Sequence, residues 1–128
     1  MGAGYFAAQN KDTQTILRGQ IVAIHPSGSG AIRASAQDDT KNAVGFMSQD
    51  TAVGATQNVA TDEVFSMPDW SSVSDAAELQ GGQIYFLSTV PGRITLTPPS
   101  VNGQVAQQIG RATSPTALEI ECKEAILL

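Results

Sequence analysis

The sequence predicts an all-β protein: a compact barrel or sandwich of short strands with at most one short helix. Three observations predict this fold. The β-branched residues Ile, Val and Thr, which favour strands, are frequent along the 128 residues. Short apolar stretches alternate with turns rich in Gly and Pro, as in sandwiches and barrels. Finally, residues 15–67 and 82–128 resemble each other, and because neither part is large enough to bury a secure core alone, we expect both to share one.

The first of these two halves contains four predicted strands. Pro26, Gly28 and Gly30 force a turn after the first strand, and the polar loop AQDDTKN follows the second. The predicted strands are 15–24 (TILRGQIVAI), 31–34, 43–48 (AVGFMS) and a longer one within 53–67, which Pro68 ends.

The second half repeats this organisation. The segment 69–82 between the halves is the one place where a helix is plausible, with Ser74 as its cap and Gly81 and Gly82 after its end. Six or seven residues make a weak helix at best. The predicted strands are 82–88 (GQIYFLS), 94–97 (ITLT), 104–112 (QVAQQIGRA) and 116–127 (TALEIECKEAIL).

Three landmarks recur in the same order in the two halves. The triplet Gly-Gln-Ile at 19–21 returns 63 residues later, Gly30 and Ile32 return as Gly92 and Ile94 after 62 residues, and Val44-Gly45 returns as Ile109-Gly110 after 65. The pattern favours an internal duplication, although short glycine-containing strand patterns also recur by chance. We therefore predict a single domain over 15–128, preceded by a flexible N-terminal arm, residues 1–14, that has no periodicity of its own.

Composition restricts the classes of partner. The net charge is −5 with only seven Lys and Arg, so the chain has no basic face for nucleic acid or for an anionic membrane surface. No apolar stretch is long enough to span a membrane, and the N-terminus does not have the pattern of a signal peptide. A single cysteine, Cys122, suits synthesis in a reducing cytoplasm; it alternates with charged residues and is predicted to be a small core residue.

The sequence offers little chemistry. His25, the only histidine, precedes Pro26 in a turn and has no nucleophile motif near it. The acidic clusters lack the spacing of a calcium loop and are interpreted as solvated loops. We expect no metal, no cofactor and no enzymatic activity.

Three aromatic side chains are candidates for contact with a partner. Tyr5 and Phe6 lie in the predicted arm, which would gain most by docking on another subunit. Trp70, in SMPDWSSVS, either caps one end of the core or serves as an exposed anchor, since Trp is enriched at binding hot spots. Capping of the core is the commoner role.

The order GQIVAI … AVGFMSQDTAVGATQNVA … GGQIYFLSTVPGRITLTPP … VAQQIGRATSPTALEIE resembles small bacteriophage virion proteins of the capsid decoration or cement type. It is also similar to β-modules of phage fibres. Residues 82–122 match best, 15–67 match more loosely, and the arm matches neither.

The resemblance implies a structural protein, made in the bacterial host cytoplasm, that binds the outer surface of a phage head and stabilises contacts between major capsid proteins. It also implies a homotrimer or another homo-oligomer. The alternative is a receptor- or glycan-binding β-module of a tail fibre or spike, with Trp70, Tyr85 and loop carboxylates as contacts. We expect deletion of residues 1–12 to leave the domain folded and to weaken attachment or oligomerisation.

Overall fold

The computed structural model describes residues 4–128, and within this range the fold is all-β with no helix. The prediction of the fold class is confirmed. The strands are β1 (Gly4–Gln9), β2 (Ile21–Ile24), β3 (Ala31–Arg33), β4 (Gly45–Met47), β5 (Thr56–Ser66), β6 (Ile84–Leu87), β7 (Ile94–Thr95), β8 (Val105–Ala106), β9 (Gln108–Ser114), β10 (Ala117–Glu121) and β11 (Ile126–Leu127).

Eight of these strands form one curled antiparallel path in the order β3-β2-β4-β5-β10-β9-β6-β7. The pair β5–β10 joins the two halves, with Leu118 opposite Phe65 and Ile120 opposite Glu63. β1 adds to β5, and β8 and β11 form a separate two-stranded sheet.

The apolar side chains form two clusters, which we name the main core and the minor core. The main core joins the halves, and in it the rings of Phe46 and Phe65 lie 4.4 Å apart between centroids. The minor core is built on the other face of β2, β4 and β5, from Val22, Met47 and Val59. Because β2 is buried on both faces, the stretch IVAI is continuously apolar rather than alternating.

The N-terminal segment covers the minor core, and here the prediction of a flexible arm over 1–14 was wrong for residues 4–14; residues 1–3 lie outside the described part. β1 pairs with β5 from Gly4 to Gln9, and Ala8 is buried in the minor core. The buried Asn10 side-chain amide then donates to the Thr51 carbonyl at 2.8 Å. Pairing with β5 fixes a segment whose own sequence is too rich in Gly and Ala to show a strand pattern.

From one end the path runs β3-β2-β4-β5, and from the other end it runs β7-β6-β9-β10. Each strand of the first half therefore has a counterpart at the same place in the second half. The backbone contacts agree in detail. Gly19 N–H donates to the Met47 carbonyl at 2.8 Å, and Gly82 N–H donates to the Ala112 carbonyl at 2.6 Å. Met47 and Ala112 in turn donate to Gln20 and Gln83, each at 3.0 Å.

Gly45 in β4 and Gly110 in β9 are a second pair of equivalent positions. Gly45 sits so close to β5 that an added Cβ would overlap the Ala60 carbonyl oxygen, and Gly110 stands in the same relation to the Glu119 carbonyl oxygen. One of the three landmarks that recur in the sequence, Gly30 and Gly92, is displaced by one residue in the structure. His25 N–H donates to Gly30 and Ser88 N–H donates to Arg93, so Arg93 rather than Gly92 occupies the position of Gly30.

Equivalent positions differ in burial, because the first half is covered on both faces and the second half mainly on one. The ladder pair Phe46–Ala60 is buried in the main core, whereas its counterpart, Arg111–Glu119, faces outward. This difference explains why the halves resemble each other in their glycines and turns more than in their side chains.

Two predicted elements, one strand and the short helix, differ from the structure for reasons that the backbone shows. The strand predicted over 15–24 is interrupted at Gly19, which has φ +88°, and only 21–24 remain in the sheet. The weak helix at 74–79 is replaced by turns, in which Val73 and Ser74 N–H both donate to the Trp70 carbonyl. The segment is too short to nucleate a helix, and its hydrogen bonds go to neighbouring loops instead.

Candidate functional site

The three aromatic candidates lie in three different environments. Tyr5 is 69% exposed, although its backbone is held in β1 opposite Ala60. Phe6, next to it, points to the other face and packs against the minor core. Of the three, only Tyr5 offers its ring to a partner.

Trp70 has no exposed surface, so the expectation of a partner contact was wrong and its alternative, a place in the core, is what the structure has. Its indole N–H donates to the Thr116 carbonyl at 2.9 Å, and its ring meets Phe65 edge to face at 6.0 Å. The indole can be buried here because its polar atom is satisfied.

A group of exposed apolar side chains lies where β11 meets the turn at 101–104; we name it the Leu127 patch. The backbone of Leu128 bonds to both Gly103 and Gln104, which holds β11 beside the turn. Its members are Val101, Ile126, Leu127 and Leu128, and the first three are 57–64% exposed. The sequence predicted that Ile126 and Leu127 belong to a closing strand over 116–127. In the structure β10 ends at Glu121, and these two residues form the separate strand β11.

A polar groove runs along β7 beside the Leu127 patch, since Val101 lines one of its cavities. It consists of two cavities, of about 280 Å³ and about 310 Å³, that share Thr95 and Thr97. Asp75, Glu78 and Tyr85 line the first cavity, and the Pro98-Pro99 loop lines the second. The alternation in ITLT already places Thr95 and Thr97 on one face, but the sequence does not indicate that the loop at 74–80 lies opposite them.

Tyr85 forms the floor of this groove and is 2% exposed. Its hydroxyl oxygen accepts a hydrogen bond from Gln80 N–H at 2.9 Å. In the described part of the chain the hydroxyl proton has no acceptor. A buried hydroxyl is therefore left with one unused donor that lines an open cavity.

The remaining titratable groups serve the fold. Burial raises the pKa of the half-buried Cys122 thiol to about 12, so that it stays protonated at neutral pH. The ring of His25 bonds to Ser27 within its own turn. Among residues 4–128 no three His, Cys, Asp or Glu side chains are grouped so that they could hold a metal ion.

No helix within residues 4–128 is long and apolar enough to cross a membrane. Comparison with known proteins finds no family model and no curated protein that matches this chain. The exposed Tyr5, the Leu127 patch and the groove along β7 are thus the surface features from which a function must be argued.

Proposed function

We propose that this protein is a virion structural protein of the capsid decoration or cement type. It binds the outer surface of a phage head and stabilises contacts between major capsid proteins, so that opening of the shell costs more free energy. The observation that carries this proposal is the Leu127 patch, in which four apolar side chains of β11 and the neighbouring turn are exposed. Exposed apolar surface of this kind is typical of binding sites.

The construction of the patch supports a binding surface. The backbone hydrogen bonds between β11 and β8, and between Leu128 and the turn at 103–104, hold the backbone that carries these side chains before any partner arrives. A fixed surface loses less conformational entropy on binding than a mobile one. The segment 94–110, which contains the turn at 101–104, has no Asp, Glu, Lys or Arg, which lowers repulsion between copies packed on one lattice.

Tyr5 is the second contact that we assign to this role. Its ring stands out from a strand that is itself held by β5, so it is an aromatic anchor on a rigid support. We also propose that the protein forms a homotrimer or another homo-oligomer on the capsid, with either Tyr5 or the Leu127 patch at the contact between copies.

The test is co-sedimentation of the purified protein with capsid shells that lack it, prepared from the virion whose genome encodes it. We expect saturable binding by the wild type. The double variant Ile126→Ser, Leu127→Ser should bind at least tenfold more weakly, because the loss of one partly buried aliphatic contact costs about 1–2 kcal/mol and tenfold corresponds to 1.4 kcal/mol.

Val53→Ser is the matched control, since Val53 is 56% exposed in a turn away from the patch. It should bind within twofold of the wild type. A wild type that does not sediment with shells, or a double variant that binds as well as the control, would overturn the proposal.

A receptor- or glycan-binding module of a tail fibre or spike is the second candidate. The groove along β7 favours it, since the groove brings together Tyr85 and the loop carboxylates Asp75 and Glu78. Binding to host cells without binding to heads would favour this candidate over the first.

A further inference from the structure

We propose that the groove along β7 is a binding site for a neutral oligosaccharide. The two cavities adjoin because Thr95 and Thr97 line both of them. Each has a volume close to the lower end of the range for small-ligand sites. The groove therefore has room for one sugar unit in each cavity, with a glycosidic link over β7.

Three polar side chains in the groove are not used by the fold. The carboxylates of Asp75 and Glu78 and the side-chain amide of Gln80 have no hydrogen-bond partner within residues 4–128. Carboxylates accept hydrogen bonds only, whereas the amide and the threonine hydroxyls both donate and accept. Such a mixture is complementary to sugar hydroxyls, which also donate and accept.

The hydroxyl of Tyr85 offers a ligand in the cavity one hydrogen-bond donor. It is buried, its oxygen accepts from Gln80, and its proton has no acceptor in the part of the chain described. A ligand hydroxyl in the cavity beside Asp75 and Glu78 would accept that proton.

The charge of the lining excludes anionic ligands. No Lys, Arg or His lines either cavity, while two carboxylates line the first. A phosphate, sulfate or uronic acid would meet repulsion with no cation to balance it. Leu96, Pro98 and Pro99 add apolar surface for the C–H faces of sugar rings.

The experiment is a titration of the ¹⁵N-labelled full chain with four neutral disaccharides: cellobiose, maltose, lactose and N,N′-diacetylchitobiose. Saturation-transfer NMR on the same samples reports contact with the sugar. We expect at least one disaccharide to bind with a millimolar Kd and to shift amides of 74–80 and 94–100. The double variant Asp75→Asn, Glu78→Gln should weaken that binding at least tenfold.

Two further variants separate binding from folding. Tyr85→Phe keeps the ring in the core and removes the hydroxyl, so it should weaken binding severalfold while the amide spectrum stays native. Glu119→Gln, on the outer face of β10, is the matched control and should bind like the wild type.

The inference is overturned if none of the four sugars binds, if the shifted amides lie outside the groove, or if the groove variants bind like the control. Equal binding of a sulfated heparin disaccharide would contradict the assigned ligand class. The inference rests on the second candidate of the proposed function, glycan binding at this groove, and names its ligand class. It is measured on isolated protein with free sugars, so it can fail while binding to host cells, the test of that candidate, is observed.

Discussion

Gly110 and Gly45 lie where an added Cβ would overlap the backbone of the neighbouring strand. At each, the nearest atom to an added Cβ is a backbone carbonyl oxygen of the adjacent strand, which cannot move aside as a flexible side chain could. The sheet must therefore separate locally to admit any larger residue.

Gly110→Ala should accordingly lower the free energy of unfolding by about 2 kcal/mol or more, and Gly45→Ala should do the same because its position is equivalent. Urea denaturation measures the change. Gly81→Ala is the control: Gly81 has no positive φ, and its nearest neighbour would lie 3.8 Å from the new Cβ. A stable Gly110→Ala protein would show that the strands are further apart than described.

The pair Asp12–Arg33 gives a pH dependence at the scale of single residues. Burial by itself raises the pKa of Asp12, but the hydrogen bonds from the Arg33 side chain and backbone and from Thr13 outweigh it and hold that pKa below 3.8. The closest contact joins Arg33 Nε to Asp12 Oδ2 at 2.9 Å. Because the pKa is lower in the folded state, the stabilisation is present above pH 3.8 and is lost as the pH falls through the folded-state pKa.

Asp12→Asn should therefore destabilise the protein by about 2 kcal/mol at pH 7. Its difference from the wild type should shrink when urea melts are repeated below pH 3.8. Asp75→Asn, which removes a carboxylate without a described partner, should show no such trend. A difference between Asp12→Asn and wild type that is constant with pH would contradict this role of the ion pair.

At the scale of elements, β1 is a strand that forms through pairing with a distant segment and not through a pattern in its own sequence. Alternation in 116–121 correctly predicted that Leu118 and Ile120 are buried and that Glu119 and Glu121 are exposed. β1 has only Phe6 and Ala8 as inward residues and gains its partner 50 residues later in the chain. A local pattern cannot reveal such a partner.

Deletion of residues 1–12 now has a different expected result from the one the sequence predicted. It removes Ala8, Asn10 and the β1–β5 ladder and uncovers the minor core. We expect a loss of about 3 kcal/mol or more, and thus a fall in Tm of about 10 °C. Tyr5→Ser, which changes only an exposed ring, should keep the wild-type Tm. A truncated chain with an unchanged Tm would restore the sequence-based expectation.

The candidate site was predictable only in part. Tyr5, Tyr85 and the loop carboxylates were recognisable as residue types suited to contacts. Their grouping was not, because Asp75 and Thr97 are brought together by the fold of the second half. The sequence also did not predict that Ile126 and Leu127 are exposed. The apolar end of a strand has the same sequence whether the protein's own core or a partner covers it.

At the scale of the whole molecule, two halves with equivalent backbone contacts share one main core. That symmetry agrees with the internal duplication that the sequence predicts. The result is a curled sheet with the separate β8–β11 pair beside it, where the Leu127 patch is exposed. We infer that the role of the protein lies in what its surface binds.

Differential scanning calorimetry of purified shells, with and without saturating protein, tests this account most directly. A protein that binds only the assembled shell raises the shell's transition temperature as its concentration increases. We predict such a rise for the wild type and a much smaller one for the Ile126→Ser, Leu127→Ser variant at the same concentration. A transition temperature that does not change with added wild-type protein would contradict the account.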